Sequence, residues 1–306
     1  MSGGGSARGK VGAAFRPPLP FKGEKRFFAR AFRETLAARF HGQGDGVTIV
    51  DAFGGSGLLS RIAKDTLPEA RVICNDKDGF ADRLAMIEET EALRLAGRRI
   101  LDDAGVPQKG RITPPAAKAL RRALRESIAA NGRADVITFN CWVSFSSRPQ
   151  PANRPMAPTW ARWPKRQLQI DVAKAWFDGI ELRRCDFEPL LDEFAADPNA
   201  VFVLDPPYIQ TDQAQYEHGN GGRFGPFDFM RVMAAIRPPF VFFSSEKSEG
   251  PKVIETSVRR SWPGHERFTV PGADGSPELL PRVERMCTFA EGRFYRDFMF
   301  FNFGAA

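Results

Sequence analysis

The stretch VTIVDAFGGSGLLSRIAKDTLPEARVICND (47–76) restricts the possible folds of this chain more than any other. VTIVD is a short β-branched run, AFGGSG a glycine-rich turn, LLSRIAKDTL a helical segment and RVICND a second apolar run. Strand, glycine turn, helix and strand within about thirty residues make a βαβ unit, which calls for a parallel sheet with a helix laid across it. The glycines of DAFGGSG (51–57) stand where a strand must turn sharply into a helix while its backbone approaches a ligand. Asp76 follows at the end of the second strand, where a carboxylate can accept hydrogen bonds from ribose hydroxyls. The same spacing would serve a dinucleotide. However, the turn lacks the full GxGxxG form and Asp51 leads it; an acid there repels a pyrophosphate and suits a nucleoside with a positive end.

A second stretch, VFVLDPPYIQTD (201–212), spends a buried apolar strand on presenting Asp205, Pro206, Pro207 and Tyr208. Two prolines stiffen the corner and remove two amide donors, leaving carbonyl oxygens as acceptors. An exocyclic amine with two N–H donors would be satisfied by the Asp205 carboxylate and the Pro206 carbonyl, and the Tyr208 ring offers a face for stacking a base. The bland alternative is a rigid loop after an edge strand.

Strand patterns recur at ELRRCDF, VFVLDPPY and FVFFSS, with GRFYRDFMFFNF as late strands and FDFMRVMAAI as a helix. Near the N-terminus, Phe28, Phe32, Leu36 and Phe40 recur at helical spacing, which predicts a helix from about Glu24 to just before Gly42. MSGGGSARGK reads as a flexible tail, ending at about residue 15. Between residues 77 and 184 the texture changes to Arg- and Ala-rich helical stretches and a proline–tryptophan segment, with about eight more basic than acidic side chains. That excess accounts for essentially the whole formal charge of +7 and fits a polyanionic partner such as nucleic acid. We read residues 80–182 as an inserted subdomain, with 16–79 and 183–306 forming the main domain. The four cysteines lack CxxC spacing, so no zinc site or disulfide framework is expected and a reducing cytoplasm fits. No apolar run reaches the length needed to cross a bilayer, so no membrane partner is expected.

PFKGEKR, DAFGGSG, ICND, RRCDF and VLDPPY, in that chain order with FVFFSSEKS after them, resemble the Dam-type (alpha-group) S-adenosylmethionine-dependent DNA adenine-N6 methyltransferases. The likeness covers most of the chain outside the insert. It implies an α/β fold, a Rossmann-like class I methyltransferase sheet with helices on both faces, and an inserted, mainly helical target-recognition subdomain. It further implies S-adenosylmethionine as cofactor, no metal, and base flipping of adenine in double-stranded DNA. On this resemblance Phe21, Lys25, Asp51, Phe53, Gly55, Gly57, Asp76, Asp186 and Phe187 bind the cofactor, and Asp205, Pro206, Pro207 and Tyr208 take the target adenine. A bacterial or phage-infected cytoplasm, at the nucleoid, is the implied location, with or without a cognate restriction enzyme. Arg121, Arg122 and Arg125, clustered on one helical segment, are the first candidates for phosphate contacts.

Rival readings stay open at this point. A ribosomal RNA guanine methyltransferase can share the glycine turn and the DPP corner; cytosine N4 presents an amine and a neighbouring ring nitrogen like adenine's; a non-catalytic relative could keep the fold alone. Asp186 could simply cap a helix starting at Phe187, Phe21 could be core, Lys25 a solvated charge, and Trp142, Trp160 and Trp163 structural anchors. The glycine-rich segment YEHGNGGRFG resembles the family's loop that orders over the flipped base.

Overall fold

The structure, a computed structural model, describes residues 16–143, 159–209, 224–274, 276–288 and 294–303. His218 and most of the segment expected to close over the base lie outside the described residues.

The chain enters through helix α1 (Ala29–Phe40), then β1 (Thr48–Asp51), α2 (Leu58–Thr66) and β2 (Arg71–Asn75), so the βαβ unit is present. Next come α3 (Phe80–Leu84), α4 (Ile87–Asp103), α5 (Pro114–Asn131), α6 (Val136–Val143) and α7 (Ile170–Lys174). The sheet resumes with β3 (Ile180–Arg183), α8 (Phe187–Glu193), β4 (Ala200–Leu204), α9 (Pro226–Ala235), β5 (Phe240–Ser245) and α10 (Gly250–Arg259). A small hairpin, β6 (Thr269–Pro271) and β7 (Pro277–Leu279), precedes β8 (Arg282–Thr288) and β9 (Phe294–Asn302).

The seven-stranded sheet has the order β3-β2-β1-β4-β5-β9-β8. The first five neighbours run parallel, and β9 is antiparallel to both β5 and β8. From β1 the sheet grows outward through β2 and β3, then restarts on β1's other side with β4. This reversal opens a crevice beyond the carboxyl ends of β1 and β4, the place where open α/β sheets bind ligands. Register puts Asp51, the last residue of β1, beside Val203, so the glycine turn and the DPPY corner leave the sheet side by side. The fold is a Rossmann-like, doubly wound α/β sheet with one antiparallel strand, β9.

Side-chain alternation sends Ile49, Val72, Val201, Val203, Val241 and Phe243 to a core under α1 and α2. Val50, Ile73, Phe202, Leu204, Phe240 and Phe242 go to a second core under α8, α9 and α10. Both faces are therefore covered, which is why β4 is apolar at every position and fully buried.

The N-terminal helix begins later than its spacing predicts, at Ala29 rather than near Glu24, because residues 21–28 are held in turns over the sheet's crevice. The insert builds a third core, including Leu93, Leu120, Leu124, Phe139, Trp142 and Trp163. Trp163 is fully buried and donates through Nε1 to the Arg94 carbonyl at 2.8 Å, while its ring fills the space where Gly97 has no Cβ. Trp142 and Trp163 are thus anchors of the insert, 5.0 Å apart between ring centroids. The packing of the insert stops short of its sequence span: Phe80, Leu84, Ile87, Ala173 and Trp176 belong to the main core. Arg83 of α3 ties the two units together, reaching Asp135 at 3.2 Å, Thr138 at 2.9 Å and the Pro20 carbonyl at 2.9 Å. None of the described helices is long and apolar enough to cross a membrane.

Candidate active site

Two cavities open at the switch point and share Phe21, Gly23, Glu24, Lys25, Asp205 and Pro207. The first, about 340 Å³, runs under the glycine turn and is also lined by Phe53, Gly54, Gly55, Ser56, Asp78, Asp186, Phe187, Phe224 and Arg231. The second, about 550 Å³, lies on the β5–β9 side and is also lined by Pro206, Tyr208, Ser245, Lys247, Cys287, Tyr295 and Asp297. Each falls within the range of small-molecule sites, roughly 300–1,000 Å³.

The glycine turn is shaped by close approach. Gly55 has φ +52, and a Cβ there would stand 2.9 Å from the Phe21 ring. Gly57 has φ +69, and a Cβ would run into the Phe177 ring. Gly54 is packed just as tightly against the Cys74 sulfur. Phe21 is half-buried and stacks edge-on against Phe80 with centroids 5.8 Å apart, so it is wall to both cavities at once.

The far end of the first cavity is an aromatic cage. Phe53 and Phe187 lie 5.2 Å apart, Phe224 stands edge-on to Phe53 at 6.0 Å, and the Arg231 guanidinium sits 4.8 Å over the Phe187 ring. Asp186 caps α8, accepting from the Glu188 N–H at 3.2 Å, and it also lines the cavity. Its carboxylate meets Arg231 at 2.9 Å and Lys77 at 3.1 Å. Burial opposes its ionisation, but the Glu188 N–H and Lys77 outweigh that and hold the carboxyl below its usual range. Capping and cavity lining are both roles of the one side chain.

Three acids ring the turn, each in a different state. Asp51 is fully buried and accepts from Ser60 Oγ at 2.7 Å, while its Oδ1 meets no hydrogen-bond partner among the described residues. Burial pushes its carboxyl up to about 7, with the nearby Asp205 charge adding to the shift. Asp76 spends both oxygens on the start of α3, accepting from the N–H groups of Phe80 at 2.6 Å and Ala81 at 2.8 Å. It is 2 % exposed and does not border the cavity, so the ribose-binding geometry expected of it is absent from this arrangement. Asp78, two residues on, faces the cavity instead, and burial together with the Asp76 charge pushes its carboxyl up to about 6. The reason is local: α3 starts too soon after β2 for the first acid to escape its N-terminal amides.

At the junction of the cavities, Lys25 is 8 % exposed and donates to Asp205 Oδ2 at 2.6 Å and to the Gly23 carbonyl at 2.9 Å. Its ammonium also lies 5.1 Å over the Tyr208 ring. Burial raises the Asp205 carboxyl above the ordinary carboxylate value, and the Lys25 ammonium pulls it partly back. Lys25 is therefore neither solvated nor incidental: it links two segments that lie 180 residues apart. On the β9 side, Asp297 Oδ2 accepts from Cys287 Sγ at 3.4 Å, and Lys247 covers the Tyr295 ring at 3.2 Å.

Of the residues named from sequence, Phe21, Lys25, Phe53, Gly55, Asp186, Phe187, Asp205 and Pro207 line the first cavity, while Pro206 and Tyr208 face the second. Asp51, Gly57 and Asp76 shape the turn from behind. Arg121, Arg122 and Arg125 lie on α5 and line neither cavity, with Arg122 within 3.5 Å of Glu126. Asp78 carried a faint signal in its place beside Asp76. Arg231, Phe224, Tyr295 and Asp297 carried none, since only the chain's return at α9 and β9 brings them to the crevice.

This site stands in a chain that is 34% identical, over 232 residues, to a Haemophilus influenzae protein bearing the name "Putative methyltransferase". The match covers 76% of each chain. The chain belongs to this methyltransferase family. A solved structure, the precorrin-6y C5,15-methyltransferase of Geobacter metallireducens GS-15, aligns over 89% of this chain and 87% of its own at 10% identity with a TM-score of 0.31, which is too distant to bear on the site. No protein-family model matches the chain.

Proposed function

We propose that the protein is a site-specific DNA methyltransferase that moves a methyl group from S-adenosylmethionine to the N6 amine of adenine in double-stranded DNA. The observation that carries this reading is the meeting of two ligand-sized cavities at Asp205, Pro207 and Lys25. A two-substrate transfer needs such a junction.

The first cavity suits the cofactor. Its phenylalanine cage fits an adenine ring, Asp78 fits ribose hydroxyls, and the cavity wall formed by Gly54, Gly55 and Ser56 of the glycine turn suits the amino-acid end beside the acidic end of β1. Bound there, S-adenosylmethionine would supply an electrophilic methyl on a sulfonium. The chain supplies orientation and acceptors. Asp205 and the Pro206 carbonyl would accept the two N–H bonds of the exocyclic amine, which favours a pyramidal nitrogen with its lone pair aimed at the methyl. Tyr208 would stack the base, offsetting by about 1–3 kcal/mol the few kcal/mol spent in extruding it. As the new N–C bond would form, the sulfonium S–CH3 bond would break and release a neutral thioether; the nitrogen would shed one proton, for which Asp205, its carboxyl raised by burial, is the adjacent acceptor.

Adenine is preferred to guanine because the ring nitrogen beside adenine's amine is a bare acceptor, whereas guanine's carries a proton. The chain order of the motifs, with PFKGEKR ahead of the glycine turn, favours adenine over cytosine. Treating unmethylated duplex DNA with the protein and labelled cofactor, then digesting to nucleosides for mass spectrometry, should give label in N6-methyladenine. Label in cytosine, or in RNA alone, would overturn the reading.

A further inference from the structure

Phe27 is a large aromatic left 58% exposed at the rim of the second cavity. Single exposed apolar side chains are ordinary, and Phe227, Phe294 and Met286 are more exposed still; what sets Phe27 apart is its place at a cavity mouth on a backbone held from several sides. On one side Lys25 is locked to Asp205; on the other Phe28 is 1 % exposed and packs edge-on against Phe243 at 5.6 Å. The turn between them is closed by the Phe28 N–H donating to the Lys25 carbonyl at 2.8 Å and the Ala29 N–H to the Arg26 carbonyl at 3.2 Å. From across the sheet edge, Arg285 Nε donates to the Phe27 carbonyl at 3.2 Å. The backbone of Phe27 is thus held at both ends and from the side, while its ring projects outward with the Arg26 guanidinium 4.9 Å from its centroid.

The cavity is mixed in charge, with Glu24 3.5 Å from Arg26 and with Asp205 and Asp297 in its lining, but the exposed charged side chains at its rim are cations. Lys22 and Arg26 are exposed beside Phe27, and Lys247 lines the same cavity from the end of β5. A rigid apolar projection flanked by cations, at the mouth of a cavity that ends in a base-sized acceptor corner, matches what duplex DNA requires when one nucleotide leaves the stack. The extruded base enters the cavity, and the hole it leaves must be filled to keep the flanking pairs apart.

We propose that Phe27 is the wedge that enters the base stack and takes the place of the extruded nucleotide, with Lys22 and Arg26 meeting the phosphates on either side. This makes Phe27 a positioning residue for extrusion, acting on the duplex and not on the reacting atoms. It rests on the reading that the substrate is a base within duplex DNA.

The test compares Phe27→Ala and Phe27→Trp with the wild type on two duplexes carrying the mapped target site, one fully paired and one with the target adenine mispaired. A mispaired base is already partly unstacked, so a wedge is needed less. Phe27→Ala should lose roughly tenfold or more in kcat/KM on the paired duplex, the scale of one lost stacking contact. It should recover most of that loss on the mispaired one, and Phe27→Trp should stay near wild type on both. With 2-aminopurine at the target position, Phe27→Ala should also show a smaller fluorescence rise on binding paired DNA. Because the ring is exposed, cofactor affinity and the melting temperature should not move. Equal losses on both duplexes, or no loss on either, would refute the wedge while leaving the adenine reading intact. A wild-type protein that binds S-adenosylmethionine but labels no duplex DNA would remove the underlying reading, and the wedge with it.

Discussion

Asp51 is where the site's electrostatics act on the whole fold. Its carboxyl titrates near 7 in the folded chain, against an ordinary value of 3.8, because burial disfavours the charge. Between those two pH values the folded state holds a proton that the unfolded state has released. Stability from this group is therefore greatest below about pH 4, falls as pH rises toward 7, and stays at its lower level above that. Asp51→Asn keeps an oxygen for the Ser60 hydroxyl and removes the titration. The difference in melting temperature between variant and wild type should widen in the variant's favour from pH 5 to 7 and level off beyond. A difference independent of pH would show that the carboxyl titrates normally. Lys25 and Asp205 form the second residue-scale unit, and truncating either strands a buried charge. Asp205→Ala should lower turnover on the order of a hundredfold or more, by removing an acceptor for charge that develops during transfer, with cofactor binding nearly unchanged. Single-turnover kinetics with equilibrium binding of S-adenosylmethionine separates the two effects.

At the scale of elements, the strand–turn–helix from β1 to α2, with the turn that leads into β1, depends on glycines for two separate reasons. Gly46 and Gly57 have nearly the same φ, +71 and +69, yet a Cβ at 46 meets open space and a Cβ at 57 meets the Phe177 ring. Alanine at either position incurs the left-handed backbone cost of roughly 1–2 kcal/mol. Only Gly57→Ala must also displace Phe177 and Trp176, whose Nε1 donates to the Ser56 carbonyl at 2.8 Å. Denaturant unfolding should show Gly57→Ala clearly less stable than Gly46→Ala, and only the former should weaken the thermal shift given by S-adenosylmethionine. For wild type that shift corresponds to about 2.7 kcal/mol at a hundred times the dissociation constant. Much of this element was legible beforehand, because turn glycines and β-branched runs are set by local backbone sterics. The boundary of α1 was not: Phe28 and Phe32 show helical spacing, but residues 21–28 follow the demands of Lys25 and Phe21 at the crevice.

For the whole molecule, the basic excess lies in the insert and the two cavities in the main domain, joined through Arg83, Asp135 and the Pro20 carbonyl. Arg121, Arg122 and Arg125 lie on α5, whose buried side is Ala116, Ala117, Leu120 and Leu124. If these arginines meet phosphates, neutralising all three should make the dependence of log affinity on log salt shallower by about 0.9 for each contact removed, uniformly across DNA sequences. Fluorescence anisotropy across a salt series measures this, and an unchanged slope would move the DNA-facing surface elsewhere.

The sequence by itself determined the βαβ unit and the stiff turn after β4, since each depends on neighbours in the chain: glycine permissiveness, proline rigidity and apolar alternation. Tertiary structure alone decided which acid faces the first cavity, because Asp76 is captured by the amides of α3 and Asp78 is not. It also decided that Lys25 pairs with Asp205, and that β9, inserted antiparallel between β5 and β8, brings Tyr295 and Asp297 to the second cavity. Those contacts join residues far apart in the chain, and only the order of strands across the sheet brings them within reach of one another.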